Sequence, residues 1–270
     1  MYQFPAIHCS KPCRYGMMLY NVHDQYIGRS LDLYGEFSEG EVDVFRQIVK
    51  PGAVILEVGA NIGAHTVFLA RAAGPQGRVF AFEPQRIVYQ TLCANLALNS
   101  ITNVTCWHAA IGRASGEVRV PTIDYTQPNN FGGVALGGAR AGEAVPVLTI
   151  DSLGLARCAL IKVDVEGMEQ EVVEGAVATL GRCKPLLYIE NDRREKSASL
   201  IRSLDALGYT LFWHRPPLFN PHNFAGNPDN VFGRIISTNM LCCPKGGPYH
   251  VQGFEPVALS PPLGTELPCS

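Results

Sequence analysis

The stretch that decides the fold is Ala53-Val-Ile-Leu-Glu57-Val-Gly59-Ala-Asn61-Ile-Gly63-Ala-His65-Thr66. A short apolar run ends at a carboxylate, two glycines four residues apart permit a tight turn, and apolar residues then recur at helical spacing. This pattern predicts a strand over 53–58, a turn, and a helix over 64–73. Outward from it, short apolar runs at 78–82, 104–108, 160–163, 186–189 and 209–213 alternate with helical segments at 86–99, 169–180 and 197–207. Strands in strict alternation with helices imply right-handed crossovers and a parallel sheet covered on both faces. The expected fold class is α/β, doubly wound and Rossmann-like.

The flanks read as covers. Met17–Val22 and Gln25–Ile27 are predicted to pair as a hairpin. Ser38-Glu-Gly-Glu41 is predicted to be a capping box opening a helix that Pro51-Gly52 ends. A Gly-rich insertion at 128–142, between Glu117–Val120 and Val145–Thr149, reads as a binding loop or a partly disordered one. The expected organisation is a cover over 1–50, the sheet domain over 51–240, and a Pro/Cys-rich tail over 241–270 that wraps the surface or frays.

The chain has 270 residues, is 47% hydrophobic and 17% charged, and carries a formal net charge of −2. That balance offers no field for a polyanion, so nucleic acid is not an expected partner. No apolar run reaches the roughly 18 residues of a membrane span, and the N-terminus lacks a signal pattern. Nine cysteines, at 9, 13, 93, 106, 158, 183, 242, 243 and 269, are an odd number, and four of them lie in predicted helices or strands or on the approach to a strand. They read as reduced thiols of a cytoplasmic protein. Zinc held by Cys9, Cys13, Cys242 and Cys243 is a weaker alternative, because adjacent cysteines are not a usual ligand spacing.

In open parallel sheets, ligands bind beyond the carboxyl ends of the strands. The glycine turn and Glu83, twenty residues beyond Gly63, together mark a nucleoside site in which the carboxylate accepts both ribose hydroxyls. Two cofactor classes fit. A dinucleotide would bring its pyrophosphate close to Glu57, which repels it. S-adenosylmethionine carries a sulfonium and an ammonium, which suit acids at 57, 83 and 164. Asn61 also stands where the dinucleotide fingerprint wants a glycine. Candidate bases for proton removal are Asp164, Glu166, His65, His108 and His214; the last opens an aromatic, Asn-rich stretch suited to a polyhydroxy acceptor.

The segments EVGANIGAHT (57–66), AFEP (81–84), NLALN (95–99), HAAIG (108–112), LTIDSL (148–153) and IKVDVEGMEQEVVEGA (161–176) occur in this order. Together they resemble the FkbM family of S-adenosylmethionine-dependent methyltransferases, over about Tyr34 to Asn191. The resemblance implies a seven-stranded, mostly parallel methyltransferase sheet whose last strand, expected at Val231–Ile236, is antiparallel. It implies O-methylation of a sugar, glycoconjugate or natural-product hydroxyl. It places Gly59, Asn61 and Gly63 at the cofactor's methionine part, Glu57 near its ammonium, Glu83 at the ribose and Ala109 to Ile111, Ala110 among them, near the adenine, with Ala60, Thr66 and Pro84 as further cofactor-binding residues. Asp164 and Glu166 fall at the transfer site, with His214 a further catalytic candidate. Asp164, Glu190 and Asn191 also resemble the magnesium ligands of catechol O-methyltransferase-like enzymes, which predicts a divalent ion. The rival readings are an NAD-dependent oxidoreductase on the same sheet and a non-catalytic scaffold. The sequence leaves the oligomeric state open.

Overall fold

The computed structural model describes residues 6–136 and 141–258. The chain begins with an antiparallel hairpin of β1 (His8–Cys13) and β2 (Gly16–Asn21), followed by α1 (Ile27–Tyr34) and α2 (Glu39–Ile48). The alternating core then runs β3 (Val54–Val58), α3 (Ala64–Ala73), β4 (Arg78–Phe82), α4 (Arg86–Leu98) and β5 (Val104–Trp107). A small sheet interrupts it, built from β6 (Ala110–Ile111), β7 (Gly116–Val120) and β8 (Glu143–Leu148). The core resumes with β9 (Leu160–Val163), α5 (Glu169–Glu174), α6 (Val177–Cys183), β10 (Leu186–Glu190), α7 (Arg194–Ala206) and β11 (Tyr209–His214), and closes with β12 (Asn239–Pro244) and β13 (Glu255–Pro256).

The main sheet has eight strands in the order β13-β11-β12-β10-β9-β3-β4-β5. Strands β10, β9, β3, β4 and β5 are parallel, and β12 runs antiparallel between β10 and β11. The expected doubly wound α/β class is therefore present, with seven strands and a two-residue edge strand added. Alternation along the strands sends Leu56, Val58, Ile161 and Val163 to the face covered by α5, α6 and α7. It sends Ile55, Leu160 and Tyr188 to the face covered by α2 and α3. Strand side chains have a period of two, so one run can serve both layers only when nearly every residue is apolar, as β9 and β10 are here.

Several expectations are corrected. The antiparallel strand is Asn239–Pro244, not Val231–Ile236; in the latter segment only Ile236 bridges, to Pro217. Inserted between two strands, 239–244 is buried on both faces, and it crosses the boundary expected at 240. The N-terminal hairpin pairs β2 with β1, while Ile27 begins a helix. Ser38 has a left-handed backbone and does not cap: its hydroxyl donates to the Glu41 carboxylate at 2.9 Å. The helix expected over 169–180 breaks at Gly175-Ala176 into α5 and α6.

The strands flanking the Gly-rich insertion pair as a hairpin, and residues 137–140 lie outside the described residues. Beyond β12 the tail packs Val251 and Phe254 on the core, while 259–270 lie outside the described residues. The zinc alternative fails on geometry among the described residues. Cys242 and Cys243 face opposite sides of the sheet, in different clusters, and Cys13 belongs to a third. No described helix is long and apolar enough to cross a membrane.

Candidate functional site

A cavity of about 300 Å³ opens beyond the carboxyl ends of β3, β4, β9 and β10. The turn after β3 forms one wall. Gly59 has φ +82° and lies against the backbone of Asp164, so that a Cβ there would be 1.8 Å from the Asp164 carbonyl oxygen. Asn61 is left-handed at φ 50°, with its side-chain oxygen accepting from the Ile62 amide at 2.8 Å. Glu83, at the end of β4, accepts from the Asn61 amide at 3.0 Å on one oxygen and from the Gln85 amide at 2.8 Å on the other. Gly59, Asn61, Glu83, Pro84 and Ala110 all line the cavity.

Four expected cofactor residues do not line it. Ala60 and Thr66 are buried behind the turn, and Gly63 supplies the left-handed entry to α3 against Leu92. Glu57 lies beneath the floor, opposite Lys162 in the β3/β9 register. The glycine turn thus serves close packing at Gly63 and the cavity wall at Gly59 and Asn61.

The acids that follow β9 meet the one that ends β10. The Lys162 ammonium sits 3.0 Å from Asp164, and Arg193 sits 2.5 Å from Glu166. Ligand atoms of Asp164, Glu166 and Glu190 fall within 4.8 Å of one another. Glu166 holds φ 53° and Gly167 φ 98°, so left-handed backbone aims this carboxylate into the cavity. Such strain persists only where the surroundings fix it, and the Arg193 pair supplies that here. Asn191 does not join: its amide points into the core toward the Met240 sulfur, at 3.3 Å. The expected magnesium set is therefore incomplete, and two of the three carboxylates already hold a cation.

His214 is also displaced from the site. Because β12 is inserted between β10 and β11, the end of β11 lies a strand further out. There the His214 Nδ1 meets the Tyr188 hydroxyl at 2.7 Å and its ring stacks on Phe254. His65 packs between Phe37 and Phe45, and burial pushes it down to about 3. His108 Nε2 lies 3.0 Å from the Pro84 carbonyl oxygen and its ring stacks on Tyr89.

The structure adds residues that the strand ends did not reveal. Glu41, from the first turn of α2, is buried and lines the cavity. Tyr26 and Phe37 from the N-terminal cover, and Leu218 and Ile235–Asn239 from the C-terminal third, form the far wall. Asn130, Gly132 and Gly133 of the insertion cover the side of the cavity near Glu83. Gln85 latches that insertion, donating to the Phe131 carbonyl at 2.7 Å and accepting from the Tyr125 hydroxyl at 3.2 Å. Removing one such bond costs about 1 kcal/mol. Gln85→Ala is therefore expected to weaken S-adenosylhomocysteine binding about fivefold and to speed protease cleavage near 130–145, read by limited proteolysis.

Burial dominates the titration of these acids. It pushes Glu57 and Glu83 up to about 7, and raises Glu41, with Lys162 opposing the shift at Glu41 and Glu57. Between the ordinary carboxylate range and about 7, the folded state keeps protons that the unfolded chain has lost. Stability then falls as pH rises through that window. His65 contributes the opposite slope between about 3 and 6.5, because its folded form stays neutral. With more carboxyls than imidazoles involved, the melting temperature of the ligand-free protein should fall from pH 5 to pH 7. Glu57→Gln should flatten that fall, and an unchanged slope in calorimetry would remove Glu57 from the account.

Residues 57–211, more than half of the chain, match the family described as the Methyltransferase FkbM domain. Methyltransferase sdnD of Sordaria araneosa is 29% identical over 154 residues, covering 45% of this chain and 59% of that protein. Methyltransferase 1 of Beauveria bassiana is 28% identical over 144 residues, covering 45% of this chain and 57% of its own length. The chain thus spans less than two thirds of either relative. The crystal structure of Methyltransferase FkbM from Methylobacillus flagellatus aligns with a TM-score of 0.48 at 17% identity, over 74% of this chain and 50% of that one. The matched span holds the glycine turn, Glu83 and the Asp164–Glu166 segment, while Glu41 and the 235–239 wall lie outside it. With that span carrying the Glu83 side of the cavity and its acidic rim, the chain belongs to the FkbM methyltransferase family.

Proposed function

We propose that the protein transfers a methyl group from S-adenosylmethionine to a hydroxyl of a sugar, glycoconjugate or natural-product acceptor. The observation that carries this reading is the charge of the cavity. Among the described residues, its lining holds Glu41, Glu83, Asp164, Glu166, Glu190 and Asp192, and no lysine or arginine. Such a lining suits a cofactor with sulfonium and ammonium groups and repels the phosphates of a dinucleotide. When bound, S-adenosylmethionine supplies an electrophilic methyl. Glu83 would hold the ribose hydroxyls, Gly59 and Asn61 would border the methionine part, and Ala110 the adenine.

This chain's own contribution is positioning and proton removal. Asp164 is half-exposed at the rim, fixed by Lys162, and available to orient an acceptor hydroxyl and take its proton. Glu166, fixed by Arg193, borders the same space. With cofactor and acceptor in place, the apolar far wall of Tyr26, Phe37 and Leu218 would keep water from the transfer site, which strengthens these interactions. No step is routed through a divalent ion: Asp164 and Glu190 of the expected ligands come together, but Asn191 points away and Asp164 is already paired with Lys162.

S-adenosylhomocysteine should raise the melting temperature and NAD should not. The protein should methylate at least one member of a panel of sugar and polyketide alcohols, and Asp164→Asn should cut turnover roughly a hundredfold while leaving S-adenosylhomocysteine binding intact. Stabilisation by NAD instead would return the oxidoreductase reading. Cofactor binding without turnover across the panel would favour a scaffold.

A further inference from the structure

The cavity has two halves. In the sheet order β10, β9, β3, β4, Glu190 stands three strand spacings from Glu83, about 14 Å away. The nucleoside carboxylate therefore lies in one half and Glu190 in the other, the acceptor's half on the reading above.

Glu190 pairs with Asn239 across the β10/β12 ladder, and both line the cavity. Residues directly opposite in an antiparallel pair share a face, with Cβ atoms about 5 Å apart. Among the described residues, the Glu190 Oε2 and the Asn239 Nδ2 are each buried with no hydrogen-bond partner. An unpaired buried polar group costs about 1–3 kcal/mol, so an acceptor and a donor side by side mark a place for a ligand that offers both roles.

The charge says what kind of ligand. Asp164 is held by Lys162 and Glu166 by Arg193, whereas Glu190 has no ion-pair partner among the described residues. The two cations are themselves shared, since Lys162 also faces Glu41 and Glu57, and Arg193 reaches Asp192 at 3.4 Å. Burial and the crowding of Asp164, Glu166 and Asp192 push the Glu190 carboxyl well above the usual range, so without a cation of its own it keeps a proton, which an arriving cation would displace to solvent. A divalent ion is a poor match, because Asn191 points away and two of the carboxylates are already bonded to cations. An organic ammonium fits, since it can donate to Glu190 and leave both existing pairs in place.

We propose that the acceptor is an amino alcohol, such as an amino sugar, whose protonated amine is seated by Glu190 and whose neighbouring hydroxyl oxygen accepts from Asn239. The inference rests on the methyltransferase reading and narrows its acceptor class. A protonated amine has no lone pair, so it anchors the acceptor and leaves a hydroxyl as the methylated group.

The test is calorimetric titration of the full chain loaded with S-adenosylhomocysteine, using matched pairs: glucosamine against N-acetylglucosamine, and 2-aminocyclohexanol against cyclohexane-1,2-diol. The amine of at least one pair should bind about tenfold more tightly than its neutral partner. Glu190→Gln should remove that preference without changing affinity for S-adenosylhomocysteine, and Asn239→Ala should weaken both members of the pair. Equal affinities, no measurable binding by either amine, or displacement of the amine by magnesium alone would overturn the proposal. Failure of S-adenosylhomocysteine itself to bind would instead strike the methyltransferase reading.

Discussion

Glu83→Gln is expected to bind S-adenosylhomocysteine roughly a thousandfold more weakly than the unaltered protein while still folding. Each Glu83 oxygen already accepts one backbone N–H, from Asn61 and from Gln85. A carboxylate has about four lone-pair sites, so two remain to face the cavity and accept the two ribose hydroxyls. Hydrogen bonds to a charged group contribute about 1.5–3 kcal/mol each, and about 4 kcal/mol for two corresponds to that factor. Glutamine keeps the shape and one acceptor oxygen but loses the charge and one backbone bond, so the melting temperature should drop by only a few degrees. A double-mutant cycle separates ribose recognition from distortion of the turn. 2′-Deoxy-S-adenosylhomocysteine should bind the unaltered protein weakly and should lose little more on Glu83→Gln. Full additivity of the two losses would show that Glu83 shapes the turn without touching the ribose.

The half of the cavity lined by Gly59, Asn61 and Glu83 was legible because its geometry is local. Gly59, Asn61 and Glu83 each follow a strand directly, and the turn that places them is written in adjacent residues. The same locality misled where side chains leave the cavity. Glu57, Gly63 and Thr66 belong to the same motif, yet strand and helix periodicity turn them into the packing beneath it.

The half of the cavity around Glu190 and Asn239 was poorly legible because it is assembled from distant segments. Asn239–Pro244 becomes a buried strand only by insertion between β10 and β11, a pairing that no local pattern encodes. Val231–Ile236 looks equally apolar, yet Val231, Ile235 and Ile236 are exposed. That one insertion also explains His214, which follows its strand as expected but ends a strand too far from the cavity. Glu41 read as a partner of Ser38, and it is; the sequence could not show that α2 docks with its first turn at the cavity mouth.

Gly59→Ala is expected to destabilise the protein by about 4 kcal/mol, whereas Gly52→Ala should cost about 1–2 kcal/mol. The two glycines share φ +82° and so share the strain that a Cβ brings to left-handed backbone. They differ in what that Cβ would meet. At Gly52 nothing lies within 4 Å, while at Gly59 the Asp164 carbonyl oxygen lies at 1.8 Å and its carbon at 2.8 Å. The contact is with backbone, so no rotamer change relieves it. The Asp164 amide also donates to the Val58 carbonyl at 3.0 Å, which pins the two strand ends together and leaves β9 little room to retreat. Any retreat that does occur moves Asp164, the group assigned to the acceptor proton, away from its position. Gly59→Ala molecules that still fold should therefore lose turnover more than cofactor affinity, since a misplacement of about 1 Å is enough to cost a hundredfold in rate. Chemical denaturation of both variants measures the difference directly. Equal losses would mean that Gly59 is needed only for its backbone angle and that the ends of β3 and β9 yield without harm to the site.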